Sequence, residues 1–292
     1  MKGLIPEMNM NILSIEKRVK VLTLLTEGNS IRAIERITGV TTKTIMSLLL
    51  NAGNKAKIIL DQEIRNINSR FLQVDEIWTF VYKKQKNLTP SEKKKGEYGD
   101  KYIYVAIDAD TKLAPLHLVG ARTDKDAKRF MRELNNRLSE GTKNRFQLTT
   151  DGFQAYRDAV YLAFENVDYA QIFKNWYRED VEDRKYSPPA LESITVNPIS
   201  GNPNPAYAST SFVERQNLTM RMQMRRMTRL SNGYSRKLVY LEAAVALHFF
   251  WYNFLKIHSS LRMTPAMKAN ITHRIWSWED FLDYDEFYRM AA

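Results

Sequence analysis

Three strand-like runs in quick succession constrain this chain more than any other feature. "RFLQVDEIWTFVYKK" from Arg70, "KYIYVAID" from Lys101 and "LAPLHLVG" from Leu113 are rich in β-branched and aromatic residues, which suit a pleated, half-buried surface. A charged loop with Pro90, Gly96 and Gly99 separates the first two, and the turn "ADTK" separates the second and third. Connections of this kind predict an antiparallel meander. "TDKDAKRFMRELNNRLSE" follows with Ala127, Phe130, Met131, Leu134 and Leu138 on one helical face. "RFQLTTDG" reads as a fourth strand, "FQAYRDAVYLAF" as a helix and "VDYAQIF" as a fifth strand. Residues 174–209 carry Pro188, Pro189, Pro198, Pro203 and Pro205 and read as an irregular insertion. A helix around Glu214 and an apolar helix from about 236 to 256 follow. The tail 257–292 has helix starts at Thr264-Pro265 and Ser277. No internal repeat or low-complexity tract interrupts this order.

The N-terminal part reads differently. Ser14, Ser30 and Thr41 precede three apolar-periodic runs, and Gly28, Gly39 and Gly53 follow them, which are helix start and stop signals. Two helices joined by a tight turn make a helix-turn-helix. The third helix would enter the DNA major groove with Thr41, Thr42, Lys43 and Thr44 at its start. A small dimerisation bundle is the alternative reading of the same pattern. The expected division is 1–55 helix-turn-helix, 56–69 linker, 70–256 catalytic domain and 257–292 helical tail.

Composition narrows the partner. With 44 Lys+Arg against 33 Asp+Glu the 292-residue chain carries +11, which favours a polyanion such as nucleic acid. Without a cysteine, disulfides and Cys-based zinc sites are excluded, and a reducing cytoplasm is compatible. No secretory leader is read in the first twenty residues. The longest apolar stretch, 238–255, is interrupted by Glu242, His248 and Asn253, so a buried helix rather than a membrane span is expected.

The order β-β-β-α-β-α-β-α is that of a ribonuclease H-like α/β fold, here a mixed five-stranded sheet flanked by helices. Three acids stand where such a fold would bring them together: Asp75 in the first strand, Asp151 at the end of the fourth and Glu214 on the helix after the insertion. Carboxylates converging from separate elements suit hard divalent cations, and two such cations clamp an in-line phosphoryl displacement. Each acid also has a plainer role. Glu76 competes with Asp75, Asp151 could cap the next helix, and Asp108 and Asp110 read as turn residues. On the last helix Val213, Met220, Met224 and Met227 form a core stripe, and Glu214, Arg221 and Arg225 form another face. His248, His258 and His273 lack metal-ligand spacing. They read as core or surface histidines, with His258 a candidate DNA contact.

The runs "VDEIWTFV", "VAIDADTK", "LTTDGFQAY" and "FVERQNLTMRMQMRRMTRLSNGYSRKL" resemble blocks of bacterial DDE transposases, and the insertion sequence one family in particular. Glu214, Arg215, Asn217, Leu218 and Arg221 match its Glu-Arg-x-Asn-Leu-x-x-Arg run. "NFLKIHSSLRMTPAM" is similar to the ends of such enzymes. The resemblance spans roughly residues 70–275. It implies Asp75, Asp151 and Glu214 as the metal-binding triad, two Mg²⁺ ions that Mn²⁺ replaces, and double-stranded DNA as substrate. It also implies release of a 3′-hydroxyl at element ends, then attack by that hydroxyl on target DNA. Arg215, Arg221, Arg225 and Arg226 would track the DNA backbone, and a homo-oligomer would hold two ends. The cysteine-rich zinc element of many relatives is absent, and the 63 residues from Asp151 to Glu214 exceed the spacing of compact members. Two rivals remain, a catalytically inert regulator derived from a transposase and a nuclease of RNA hybrids. The helix-turn-helix disfavours the second.

Overall fold

The structure, a computed structural model, describes residues 13–177 and 190–284. Three helices open it: α1 (Ile15–Thr26), α2 (Ile31–Thr38) and α3 (Thr42–Glu63). The side chains of Ser14, Ser30 and Thr41 each accept a backbone N–H from the first turn of their helix, the capping chemistry expected of Ser and Thr. Gly39 ends α2 in the left-handed region at φ 69°. Val21, Ile34, Val40 and Ile45 form a small core among the three helices.

Gly53 does not stop α3. The helix runs on to Glu63, through most of the expected linker 56–69. The reason is packing. A Cβ placed on Gly53 would lie 2.4 Å from the Cα of Ala243, so the missing side chain is a notch that lets two helix backbones meet. The partner is the apolar helix expected from about 236 to 256. Ala52, Ala56, Ile59 and Leu60 extend the same buried seam.

The sheet has six strands in the order β3-β2-β1-β4-β5-β6. The meander comprises β1 (Phe71–Val81), β2 (Gly99–Asp108) and β3 (Leu116–Gly120), all antiparallel. The short helix α4 (Pro90–Lys94) lies in the charged loop. Then α5 (Asp124–Asn135) and α6 (Glu140–Asn144) lead to β4 (Phe146–Asp151), which is parallel to β1. Helix α7 (Ala155–Ala163) leads to β5 (Val167–Tyr177), parallel to β4, and β6 (Ala190–Ser200) returns antiparallel. The predicted inward face of α5 is buried at Ala127, Phe130, Met131 and Leu134.

The sixth strand corrects the expectation of five. It lies inside 174–209, where Pro198 argued for irregular chain. As an edge strand β6 tolerates a proline that a central strand would not, and Pro198 stands at a register shift opposite Ala170. Pro188 and Pro189 fall outside the described residues.

The last elements are α8 (Ser211–Gln223), α9 (Leu238–Phe250), α10 (Pro265–Lys268) and α11 (Trp278–Asp283). One wide helical turn, Trp251–Leu255, extends α9. The span Leu238–Leu255 is apolar and long enough to cross a membrane by length and composition, yet 67% of it is buried inside the protein. Two of its polar interruptions find partners there. Asn253 exchanges two hydrogen bonds with the Ala114 backbone, at 2.9 and 3.0 Å, and Glu242 pairs with Lys57. Helices α10 and α11 are short, so over the described residues 257–284 much of the expected helical tail is loop, although Thr264 and Ser277 cap as predicted.

Gly53→Ala is expected to destabilise the protein by about 2–3 kcal/mol, because backbone rather than a flexible side chain must yield. Gly39→Ala, which meets nothing within 4 Å, pays only the left-handed backbone penalty of roughly 1 kcal/mol. Urea unfolding of the two variants checks the order, and the reverse order would mean that α3 and α9 separate easily.

Candidate metal centre

Register builds the site. Val74 of β1 stands opposite Thr150 of β4 in a parallel ladder, so Asp75 and Asp151 leave adjacent strands at one level. Gln73, two residues before Asp75 on the same strand face, is buried and accepts the backbone N–H groups of Phe212 and Val213 at 2.9 and 3.2 Å. That contact pins the start of α8 to β1. One turn further along α8, Asn217 donates to Asp75 Oδ2 at 2.8 Å. Glu214 lies between these two anchors.

The opposite face of β1 carries Glu76. Its side chain is 2% exposed and holds Arg122 Nε at 2.5 Å and the Tyr156 hydroxyl at 2.9 Å. Arg122 also reaches Asp151 Oδ2 at 3.3 Å and lies over the Phe153 ring. Because β4 ends at Asp151, that carboxylate is reached from both sheet faces. Asp75, Glu76 and Asp151 therefore offer ligand oxygens all within 4.8 Å of one another. This acidic cluster could hold a metal ion.

Glu214 stands outside that trio. Its Oε1 accepts from Thr210 Oγ1 at 2.5 Å and from Lys174 Nζ of β5. It is near enough for its charge to raise the pKa of both Asp75 and Asp151. Among the described residues its cation is Lys174, and no arginine pairs with it. The plain expectation that Asp151 caps the next helix does not hold. Its Oδ1 accepts from Phe153 N at 3.1 Å, and the N-cap of α7 is Gln154. Asp108 and Asp110 serve the turn and an ion pair. Asp108 accepts from Thr111 and from Asp110 N, and Asp110 pairs with Arg70.

Crowding shows in the protonation. Burial, then the charges of Asp151 and Glu76, push Asp75 up to about 7. Burial also raises Asp151, with Phe153 N–H and Arg122 pulling back. Glu76 is raised by burial and Asp151 against Arg122 and Tyr156.

The cationic residues expected to follow DNA divide into two groups. Helix α8 ends at Gln223, so Arg225 leaves the expected Glu214–Arg221–Arg225 stripe. Arg221 is turned back to the Met227 carbonyl at 3.3 Å. Arg215 and His258 line a cleft of about 320 Å³ with Lys112 and Lys256. Burial and the charges of Lys112, Lys256 and Arg215 lower the His258 pKa. Arg225 and Arg226 line a different cavity. At the start of α3, Thr41, Lys43 and Thr44 are exposed, and Thr42 donates its N–H to Glu35 Oε1 of α2 at 2.9 Å. Met224 and Met227 are buried as the core stripe predicted, although both lie past the helix end. Sequence reasoning missed Arg122 and Lys174. Each is a lone cation in an ordinary polar stretch, and only the register brings it to an acid.

No family model and no curated protein matches this chain. Among solved structures, the Mos1 transposase paired-end complex with left transposon end aligns at 13% identity over 51% of this chain and 57% of that chain, with a TM-score of 0.23. A likeness this slight carries no argument.

Asp75 makes stability depend on pH. Its folded pKa is raised, so the stabilisation is full below the ordinary Asp value near 4 and is lost as pH rises through about 7. Asp75→Asn should remove this slope and, at pH 8 without divalent ions, stabilise the protein by ~2 kcal/mol after allowance for solvent screening. Thermal melts from pH 4 to 8 test this, and parallel curves for the two proteins would contradict it.

Proposed function

We propose that this chain is a DDE-type DNA transposase of an insertion sequence, built on a ribonuclease H-like core. The observation that carries the reading is acids leaving two adjacent parallel strands at one level, Asp75 within β1 and Asp151 at the end of β4, while a glutamate helix is pinned across β1. The strand order β3-β2-β1-β4-β5 is the one expected of such a core, with β6 as an added edge.

The donor set fits hard divalent cations. It is all oxygen, ligand atoms of Asp75 and Asp151 lie within 4.8 Å of one another, and burial together with the neighbouring negative charges holds a proton on Asp75 up to about 7. Mg²⁺ is the expected ion, with Mn²⁺ as substitute, and such ions polarise phosphate oxygens and stabilise the attacking and leaving oxygens of an in-line displacement. Asp75 and Asp151 would hold them. Glu214 rather than Glu76 is assigned as the third carboxylate. Both oxygens of Glu76 are taken by Arg122 and Tyr156, whereas among the described residues only Oε1 of Glu214 is engaged. Asn217 orients Asp75, and Arg122 offsets part of the charge on Asp151.

The cleft of Arg215, His258, Lys112 and Lys256 would take the phosphate backbone beside the acids. The start of α3, exposed at Thr41, Lys43 and Thr44 with Thr42 between them, supports a helix-turn-helix reading of duplex ends. Double-stranded element ends and target DNA are the partners, a homo-oligomer would hold two ends, and the setting is the prokaryotic cytoplasm, on the nucleoid.

The test is cleavage of a supercoiled plasmid carrying the DNA that flanks the gene. Cleavage at the ends should require Mg²⁺ or Mn²⁺. Asp151→Asn and Glu214→Gln should each lower it by at least ~10²-fold, the scale for removing one charge-stabilising group from an active site. Glu76→Gln should stay within about tenfold of wild type, the low end for a supporting residue. An equal loss in Glu76→Gln and none in Glu214→Gln would reassign the third ligand. Intact DNA binding with no cleavage by any form would identify an inert regulator.

A further inference from the structure

Away from the acids, a cavity of about 640 Å³ opens between the N-terminal helices, the turn Arg225–Met227 and the start of α9. Arg32, Arg225, Arg226, Arg236 and Lys237 line it, and among the described residues no Asp or Glu does. Among the described residues none of the five makes a salt bridge. Four are exposed and form the rim, whereas Arg226 is set deeper. Its guanidinium donates to Ser235 Oγ at 3.2 Å and meets Met46 Sδ at 3.7 Å. Burial pulls its pKa down to about 10. A buried polar atom in the lining lacks a hydrogen-bond partner among the described residues, the Nδ1 of His248.

Desolvating a guanidinium without a counter-charge is costly. A cluster of five cations without an acid also repels itself. An anionic ligand relieves both. The volume is about twenty times the roughly 30 Å³ share of one water, more than an inorganic anion needs. The remaining wall supplies two aromatic rings, Tyr234 and Tyr240, and an apolar floor that includes Leu49 and Leu247. Cations for a phosphate beside rings and aliphatic surface for a flat heterocycle are what a nucleotide requires.

We propose that this cavity binds a single nucleotide, its phosphate on Arg225 and Arg226 and its base against Tyr234, Tyr240 and the apolar floor. The nucleotide is either free or an unpaired member of a DNA strand crossing the cationic rim. The strand-borne source rests on the DNA-handling reading above, whereas the cavity itself does not.

Calorimetric titration of the full chain with thymidine 5′-monophosphate, thymidine and inorganic phosphate tests the free source. A single-stranded oligonucleotide with one 2-aminopurine tests the strand-borne source by its fluorescence. The expected result is one saturable site for the monophosphate or for the oligonucleotide, with thymidine and phosphate each at least tenfold weaker. Arg226→Met should weaken binding at least tenfold while raising the Tm, since it removes a partly buried charge that lacks a counter-ion among the described residues. The rise in Tm separates loss of the site from misfolding, and the rim variant Arg225→Gln should show a weakening of the same kind. No saturable response from either source would overturn the proposal. So would phosphate binding as tightly as the monophosphate, or unchanged binding in Arg226→Met. Asp151→Asn should leave these titrations unchanged, so failure of the transposase reading would appear as absent metal-dependent cleavage with nucleotide binding intact.

Discussion

In the ladder between β1 and β4, Val74 faces Thr150, and the two carboxylates that follow are delivered side by side. Like charges this close, partly withdrawn from water, oppose one another and oppose burial. The fold holds them there by force of packing and hydrogen bonds. Val74 and Thr150 are fully buried, Gln73 anchors the start of α8 and Asn217 fixes Asp75. A one-residue slip in this register would turn Asp75 to the other face, and the glutamate helix would lose its alignment with it.

The protein's own cations answer that charge from outside. Arg122 spans Glu76 and Asp151, and Lys174 holds Glu214. Arg122 comes from the turn between β3 and α5 and Lys174 from β5, neither from α8. The arginines of the "ERQNLTMRMQMRRM" stretch are distributed elsewhere. Arg215 joins the cleft with His258, Arg221 folds back on the backbone, and Arg225 and Arg226 face the second cavity. One basic segment therefore serves two surfaces, and the end of α8 at Gln223 is what divides it.

Much of this was legible in the sequence wherever local chemistry and packing agree. Ser14, Ser30, Thr41, Thr264 and Ser277 cap as read, the inward face of α5 is as read, and the positions of Asp75, Asp151 and Glu214 follow from the element order. The misses share a cause, which is a long-range partner outweighing a local signal. Gly53 looks like a helix stop until Ala243 is placed against it. Pro198 looks like loop until its strand proves to be an edge. Alternation puts Asp75 and Glu76 on opposite faces, but it does not reveal that Asp151, at a strand end, is reached from both. Arg122 and Lys174 carry no periodicity or spacing that marks them.

The central claim is that the acids on β1 and β4 form a divalent-cation site completed by Glu214. Crystals of the protein soaked in Mn²⁺ and measured at the manganese edge test it most directly. The account predicts anomalous density between Asp75 and Asp151, with Glu214 turned from Lys174 toward it and Glu76 still on Arg122 and Tyr156. Absence of manganese from this cluster at saturating concentration, with the Lys174–Glu214 pair unchanged, would contradict it.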